Sequence, residues 1–232
     1  MKNIQEFSVG LSLLPHTASS GVFRAQHDEG LRVLKCMDGG RPAAWEKEPS
    51  GRPRFADAHA DFSISHSRRM VAVSFSCGRT GCDIQYVHPK KSYDELAYRL
   101  FFPEELRYLQ EAGDARERNV RFCRLWTLKE CFIKANSLSV FAMKKTPAFL
   151  VTGGEAAFPA GGKKIVSCRL AEGELPYPRL EFYLYECGGD EGYVLAVARE
   201  ETGAPREAPE ILWFSEGALP FTRTAVSCGA AF

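Results

Sequence analysis

From Arg116 to Asn136 the chain contains neither proline nor glycine. Its residues there are ones an α-helix tolerates or favours, which predicts a long helix in the middle of the sequence. Trp126, Glu130 and Lys134 follow one another at four-residue intervals within it, so they stack along one face. Taken alone, the three have two readings. They form a surface ion pair beside a core Trp, or a ligand site with Glu130 for a metal and Lys134 for a phosphate. The rest of the chain decides between them.

With 232 residues, the chain is long enough for one large domain or two small ones. Apolar residues make up 45% and charged residues 25%, the balance of an ordinary globular protein. No run of about eighteen apolar residues is present, and Met1-Lys2-Asn3-Ile4 does not open a signal peptide, so a cytoplasmic protein without membrane association is expected. A net charge of +1 gives no general attraction to nucleic acid. A polyanionic ligand would have to find a local basic patch. None of the eight cysteines forms a CxxC pair, which points to free thiols in a reducing compartment rather than a zinc cluster.

Residues 4–14 alternate loosely as a first strand, and 38–57 read as loop. Asp61–Ser67 alternates as a half-buried strand that ends in hydroxyls and an imidazole, a cluster suited either to an oxyanion or to a capped turn. Met70–Ser76 is a strand, and Cys82–Gln85 restarts one after a glycine turn, so the two are expected to form a hairpin. Period two puts Asp83 and Gln85 on one face, able to offer oxygens to a divalent cation or to form the wet face of an edge strand. Helices are expected over 92–100 and from Pro103 to about Glu111. Strands follow at 148–151, 164–169, 180–185 and 193–198, with a turn at 188–192. Residues 199–210 read as linker, 211–214 as a segment able to dock on the body, and the last dozen as loose.

Asp83 and Glu130 thus provide two hard oxygen ligands on separate rigid elements. Arg52, His66 and Lys134 provide positive or donor groups, and Glu105 lies at a helix start. Together these are the components of phosphoryl transfer. A Ser-His-Asp hydrolase built on Ser65, His66 and Asp83 is the poorer account, because no G-x-S-x-G elbow is present.

Three blocks then resemble the Sfp-type 4′-phosphopantetheinyl transferase family. Phe62-Ser63-Ile64-Ser65-His66-Ser67 is similar to F-N-I-S-H-S. Gly81-Cys82-Asp83-Ile84-Gln85 is similar to G-x-D-I-E. Trp126-Thr127-Leu128-Lys129-Glu130 with Lys134 is similar to W-[ST]-x-K-E-x-x-x-K. Gly51-Arg52-Pro53 and Phe101-Phe102-Pro103-Glu104-Glu105 add weaker matches. The resemblance, over roughly residues 51–198, implies an α+β fold of two similar α+β halves packed as a pseudo-dimer and acting as a monomer. It divides the chain into an N-terminal half over 1–90, shortened at its start, a C-terminal half over 91–198, and a linker and tail over 199–232. It also implies a magnesium-dependent enzyme that moves the phosphopantetheine arm of coenzyme A onto a serine of an acyl or peptidyl carrier protein. By position, Asp83, Gln85 and Glu130 resemble the metal ligands, and Glu105 the base for the incoming serine. Lys134 resembles the residue that meets the phosphates and protonates the leaving one. Ser65 and His66 resemble the coenzyme A phosphate contacts, and Arg52, with Arg54 as a helper, the contact to its 3′-phosphate.

Gln85 departs from the family's Glu and carries no charge, so weaker cation binding is expected. No basic segment typical of the family precedes Gly51. Two alternatives follow: a degenerate member that binds coenzyme A or a carrier without transfer, and an interaction protein whose motif residues lie dispersed.

Overall fold

The computed structural model describes residues 7–15, 22–41, 44–151, 168–170, 179–187, 192–201, 209–214 and 224–226. The chain has an α+β fold. Helix α1 (Val22–Met37) follows the first strand. It packs on a five-stranded sheet ordered β12 (Thr224–Val226), β11 (Glu210–Phe214), β1 (Phe7–Leu13), β5 (Met70–Ser76), β4 (Asp61–Ser67). Within the segment expected as loop, β2 (Trp45–Lys47) and β3 (Pro53–Phe55) form a small hairpin. A second sheet runs β6 (Thr80–Tyr86), β10 (Tyr193–Glu200), β9 (Leu180–Cys187), all antiparallel. The long helix α4 (Ala115–Ala135) covers it, preceded by α2 (Asp94–Leu100) and α3 (Pro103–Gln110). A 3₁₀ turn, Val140–Lys145, leads to β7 (Phe149–Val151), which pairs with β8 (Cys168–Leu170). The expected strand start at 164–167 and most of the turn at 188–192 lie outside the described residues.

Period two assigns each strand's residues to different cores. Val9, Leu11, Met70 and Ala72 meet Cys82, Ile84, Leu195 and Val197 in an apolar layer between the two sheets. Val73, Phe75 and Phe62 face Val33 and Met37 of α1. Val194, Ala196 and Ala198 face Leu125, Leu128 and Phe132 of α4. Both faces of β10 are therefore buried, which is why it reads as a near-continuous apolar run.

The hairpin expected between β5 and β6 does not form. Both edges of β5 are taken, by β1 and by β4, so β6 finds its ladder partner in β10. Its other edge meets polar side chains of β4. Asp61 Oδ2 accepts the Thr80 N–H at 2.8 Å, Ser65 Oγ the Ile84 N–H at 3.3 Å, and Ser67 Oγ the Tyr86 N–H at 2.9 Å. Buried backbone donors must be satisfied, and here alternate side chains do what a neighbouring strand would do. Strand pairing also interleaves the expected segments. β6 lies before residue 90 yet pairs with β10, and β11 lies after residue 199 yet runs parallel to β1. Within the last dozen residues, expected to be loose, Thr224–Val226 pairs with β11 as β12.

Helix α4 approaches β6 closely at Gly81. A Cβ there would lie 2.5 Å from the Cys131 carbonyl oxygen and 2.9 Å from the Ala135 Cβ. The Cys131 thiol donates to the Gly81 carbonyl at 3.2 Å. We expect Gly81→Ala to destabilise the fold by about 1–3 kcal/mol through overpacking. The midpoint of urea unfolding measures this, and an unshifted midpoint would contradict the close approach.

His59 joins the end of α1 to the loop before β4. Its Nδ1 lies 2.5 Å from Asp57 Oδ1 and its Nε2 2.8 Å from the buried Asp38 Oδ1. The hydrogen bond to Asp57, assisted by Asp38, raises the imidazole pKa above the usual histidine range despite partial burial. Protonation is thus favoured in the folded state. The contribution is complete below about pH 6.5 and fades as pH rises through the raised value. His59→Gln should therefore cost more stability near pH 6 than near pH 9 in urea titrations, and an equal loss at both would refute the coupling.

Candidate active site

The close approach at Gly81 brings the next α4-facing residue of β6, Asp83, against the last turn of the helix. Lys134 Nζ lies 2.7 Å from Asp83 Oδ1 and donates to Ser65 Oγ at 2.9 Å. Ser65 Oγ donates in turn to Asp83 Oδ1 at 2.7 Å. Residues from β4, β6 and α4 thus close a three-membered polar cluster. Burial alone would lower the Lys134 pKa, but the Asp83 carboxylate outweighs it and raises the value, so Lys134 stays an ammonium.

Glu130 sits one helical turn before Lys134. Burial raises its carboxyl pKa, the Asp83 charge raises it further, and the Lys134 charge opposes both. A divalent cation beside Asp83 and Glu130 would oppose that rise and favour the ionised form of Glu130. Gln85 shares Asp83's face of β6 and is half-buried; its amide donates only a 3.5 Å hydrogen bond to the Tyr86 carbonyl. Among the described residues no three of His, Cys, Asp and Glu converge on one point. Asp83 and Glu130 are hard oxygen donors, the type a divalent cation takes together with oxygens of water and ligand.

His66 lies at the surface of β4, its ring 6.2 Å from that of Phe23. Partial burial and the nearby Lys134 charge lower its pKa, so the imidazole is neutral near pH 7 and free to donate or accept. Beside Lys134 opens a cavity of about 270 Å³, lined also by Arg52, Ser63, Ile64, Ser137 and Leu138. Ser137 and Leu138, just past α4, were not singled out from the sequence, because nothing local marks a short post-helical turn as a cavity wall.

Three expected site residues are differently employed. Arg52, matched to a phosphate contact, reaches this cavity, and one nitrogen of its guanidinium is held within the protein. Nη2 donates to Asp61 Oδ2 at 2.7 Å, to the Thr80 carbonyl at 2.8 Å and to the Phe62 carbonyl at 3.2 Å. Arg54 pairs with Glu46 at the surface. Glu105, expected as the base for the incoming serine, does not join the cluster. Its carboxylate is fully buried, 3.0 Å from Lys129 Nζ, and accepts the backbone N–H groups of Phe102 and Phe149, each at 2.8 Å. A group so enclosed cannot meet an arriving hydroxyl, which requires hydrogen-bond reach. Trp126 packs against the α4 core and stacks on Phe122 at 5.8 Å, away from any ligand role.

Ser65, Asp83, Glu130 and Lys134 are thus together, with His66 at the rim, and the reading in which the motif residues lie dispersed is excluded. Residues 79–174 match the family model of the 4′-phosphopantetheinyl transferase superfamily. The chain is similar to the 4′-phosphopantetheinyl transferase HetI of Nostoc, 32% identical over 123 residues that cover 48% of this chain and 52% of that one. It is similar to Sfp of Bacillus subtilis, 40% identical over 82 residues, or 35% and 34% of the two chains. It is also similar to AcpT of Salmonella typhimurium, 35% identical over 86 residues, or 36% and 44%. The chain spans about half the length, or less, of the curated relatives it matches. The stretch 79–174, which supplies Asp83, Glu130 and Lys134 on β6 and α4, is thus where the chain is similar to the 4′-phosphopantetheinyl transferase superfamily.

Proposed function

We propose that this protein transfers the 4′-phosphopantetheine arm of coenzyme A to a serine hydroxyl of an acyl or peptidyl carrier protein. The observation that carries the reading is the contact of the Lys134 ammonium with Asp83 and Ser65, one turn from Glu130. A metal–phosphate site needs these charges on rigid elements, and the family segment supplies them. α1 on its sheet and α4 on its sheet are read as two similar halves of a pseudo-dimer, so that a monomer holds a complete site between β4 and α4. The free thiols of Cys36, Cys77, Cys82 and Cys123 suit a cytoplasmic setting.

In the reaction the serine oxygen bonds to the phosphorus that bears the pantetheine. The bond from that phosphorus to the bridging oxygen breaks, and adenosine 3′,5′-bisphosphate leaves. Magnesium, held by Asp83 and Glu130 with the Gln85 amide oxygen beside them, would draw charge from the pyrophosphate. Lys134 exchanges its contact with Asp83 for the leaving phosphate and balances the charge that grows there. Burial and the neighbouring Asp83 charge raise the Glu130 pKa, which suits it to take the hydroxyl proton in place of the enclosed Glu105. Ser65 and the neutral His66 lie where they can hydrogen-bond the coenzyme's phosphates.

A second reading, a member that binds coenzyme A or a carrier without transfer, draws on Arg52, one guanidinium nitrogen of which is held by Asp61 and the Thr80 carbonyl. Incubation with coenzyme A, magnesium and a panel of apo-carriers separates the two. Transfer adds the mass of the arm to a carrier, and Lys134→Ala lowers kcat by roughly 10²–10³-fold. No mass gain with any carrier would favour the binding-only reading. Gln85→Glu should lower the half-saturating magnesium concentration, by roughly tenfold for each 1.4 kcal/mol of added attraction. An unchanged magnesium requirement would remove Gln85 from the cation site.

A further inference from the structure

Next to Glu130 on α4, Lys129 has a fully buried side chain. All three protons of its ammonium are used: on Glu105 Oε1 at 3.0 Å, on Thr146 Oγ1 at 3.0 Å and on the Pro147 carbonyl at 3.2 Å. The rings of Phe101, Phe102 and Phe149 surround it, with centroids 4.8–5.9 Å away. Glu105 is equally saturated. It accepts the Phe102 N–H at the start of α3, the Phe149 N–H at the start of β7, and Lys129. One ion pair therefore ties α4 to α3, to β7 and to the segment between them. It contains no free donor or acceptor with which to meet a substrate.

Lys129 is fixed inward on this side of α4. Glu130, about 100° further round the helix, and Lys134, one turn on, are thereby directed to β6. We propose that Glu105 and Lys129 are positioning residues. Their buried pair sets the rotation of α4 and so holds Lys134 on Asp83 and Glu130 beside it. The pair acts through the cluster and exchanges no proton with substrate. This inference rests on the transfer reading above for its kinetic readouts.

The tests use Glu105→Gln, Lys129→Met and the double variant, each assayed at a temperature where circular dichroism shows it folded. Breaking a buried pair at one end leaves an uncompensated polar group, whereas replacing both ends removes the conflict. Each single variant should lower kcat per folded molecule by roughly 10- to 100-fold, as small displacements of reacting groups do. The double variant should regain part of the loss. The acid limb of the pH–rate profile should keep its position in Glu105→Gln. Loss of that limb, or a folded double variant as inactive as Glu105→Gln alone, would overturn the proposal in favour of a base. Unchanged kcat per folded molecule in both single variants would reduce the pair to fold stability alone and equally overturn it. Should the wild-type protein label no carrier, the transfer reading fails by itself. The positioning claim is then decided by a crystal structure of Lys129→Met. Loss of the Lys134–Asp83 contact supports it, and an intact contact overturns it.

Discussion

The contact of α4 with β6 at Gly81 is the constraint from which the site follows. A helix lying on a strand with a carbonyl oxygen 2.5 Å from where a Cβ would be admits only glycine. That proximity puts the next outward residue of β6, Asp83, within 2.7 Å of an ammonium on the helix's last turn. Glu130 falls on the same side one turn earlier. Each residue of the Gly-x-Asp block thus has a separate task. Gly81 sets the distance, Cys82 fills the layer between the sheets, and Asp83 carries the charge.

Polar groups of opposite kind are sorted to the two sides of α4. Facing the covered side, Glu105 and Lys129 are completely saturated, with 0% side-chain exposure for both. Such a pair contributes little net stability when both ends are present but is costly to break, by about 3–5 kcal/mol. Facing β6, Glu130 and Lys134 are half-buried beside the buried Asp83 carboxylate. Residues that are adjacent in sequence, Lys129 and Glu130, therefore face a saturated interior on one side and the candidate site on the other.

Much of this was legible in the sequence. The absence of breakers from Arg116 to Asn136 identified α4 to within about a residue at each end. Alternation identified β4, apolar runs identified β5 and β10, and the Phe62, Gly81 and Trp126 blocks pointed to Ser65, Asp83, Glu130 and Lys134, which the fold brings together. What failed was partner choice. Period two says that Thr80–Tyr86 is a strand but not that its ladder partner lies at Tyr193–Glu200, and a local hairpin was the nearer guess. Glu105 failed for a similar reason. An acid in the first turn of a helix is usually a solvated cap, and its burial here depends on Lys129 and on the Phe149 N–H, both remote in sequence. Arg52 lies in the cavity the motif suggested, yet three acceptors of β4 and β6 had a prior claim on its guanidinium.

The central claim is that the Asp83–Glu130–Lys134 cluster receives a cation and a pyrophosphate. Crystals soaked with coenzyme A and manganese, with anomalous scattering recorded at the manganese edge, test it most directly. The account predicts an anomalous peak between Asp83 and Glu130, with Lys134 Nζ moved from Asp83 onto a phosphate oxygen. A peak elsewhere, or coenzyme A bound while Lys134 remains on Asp83, would contradict it.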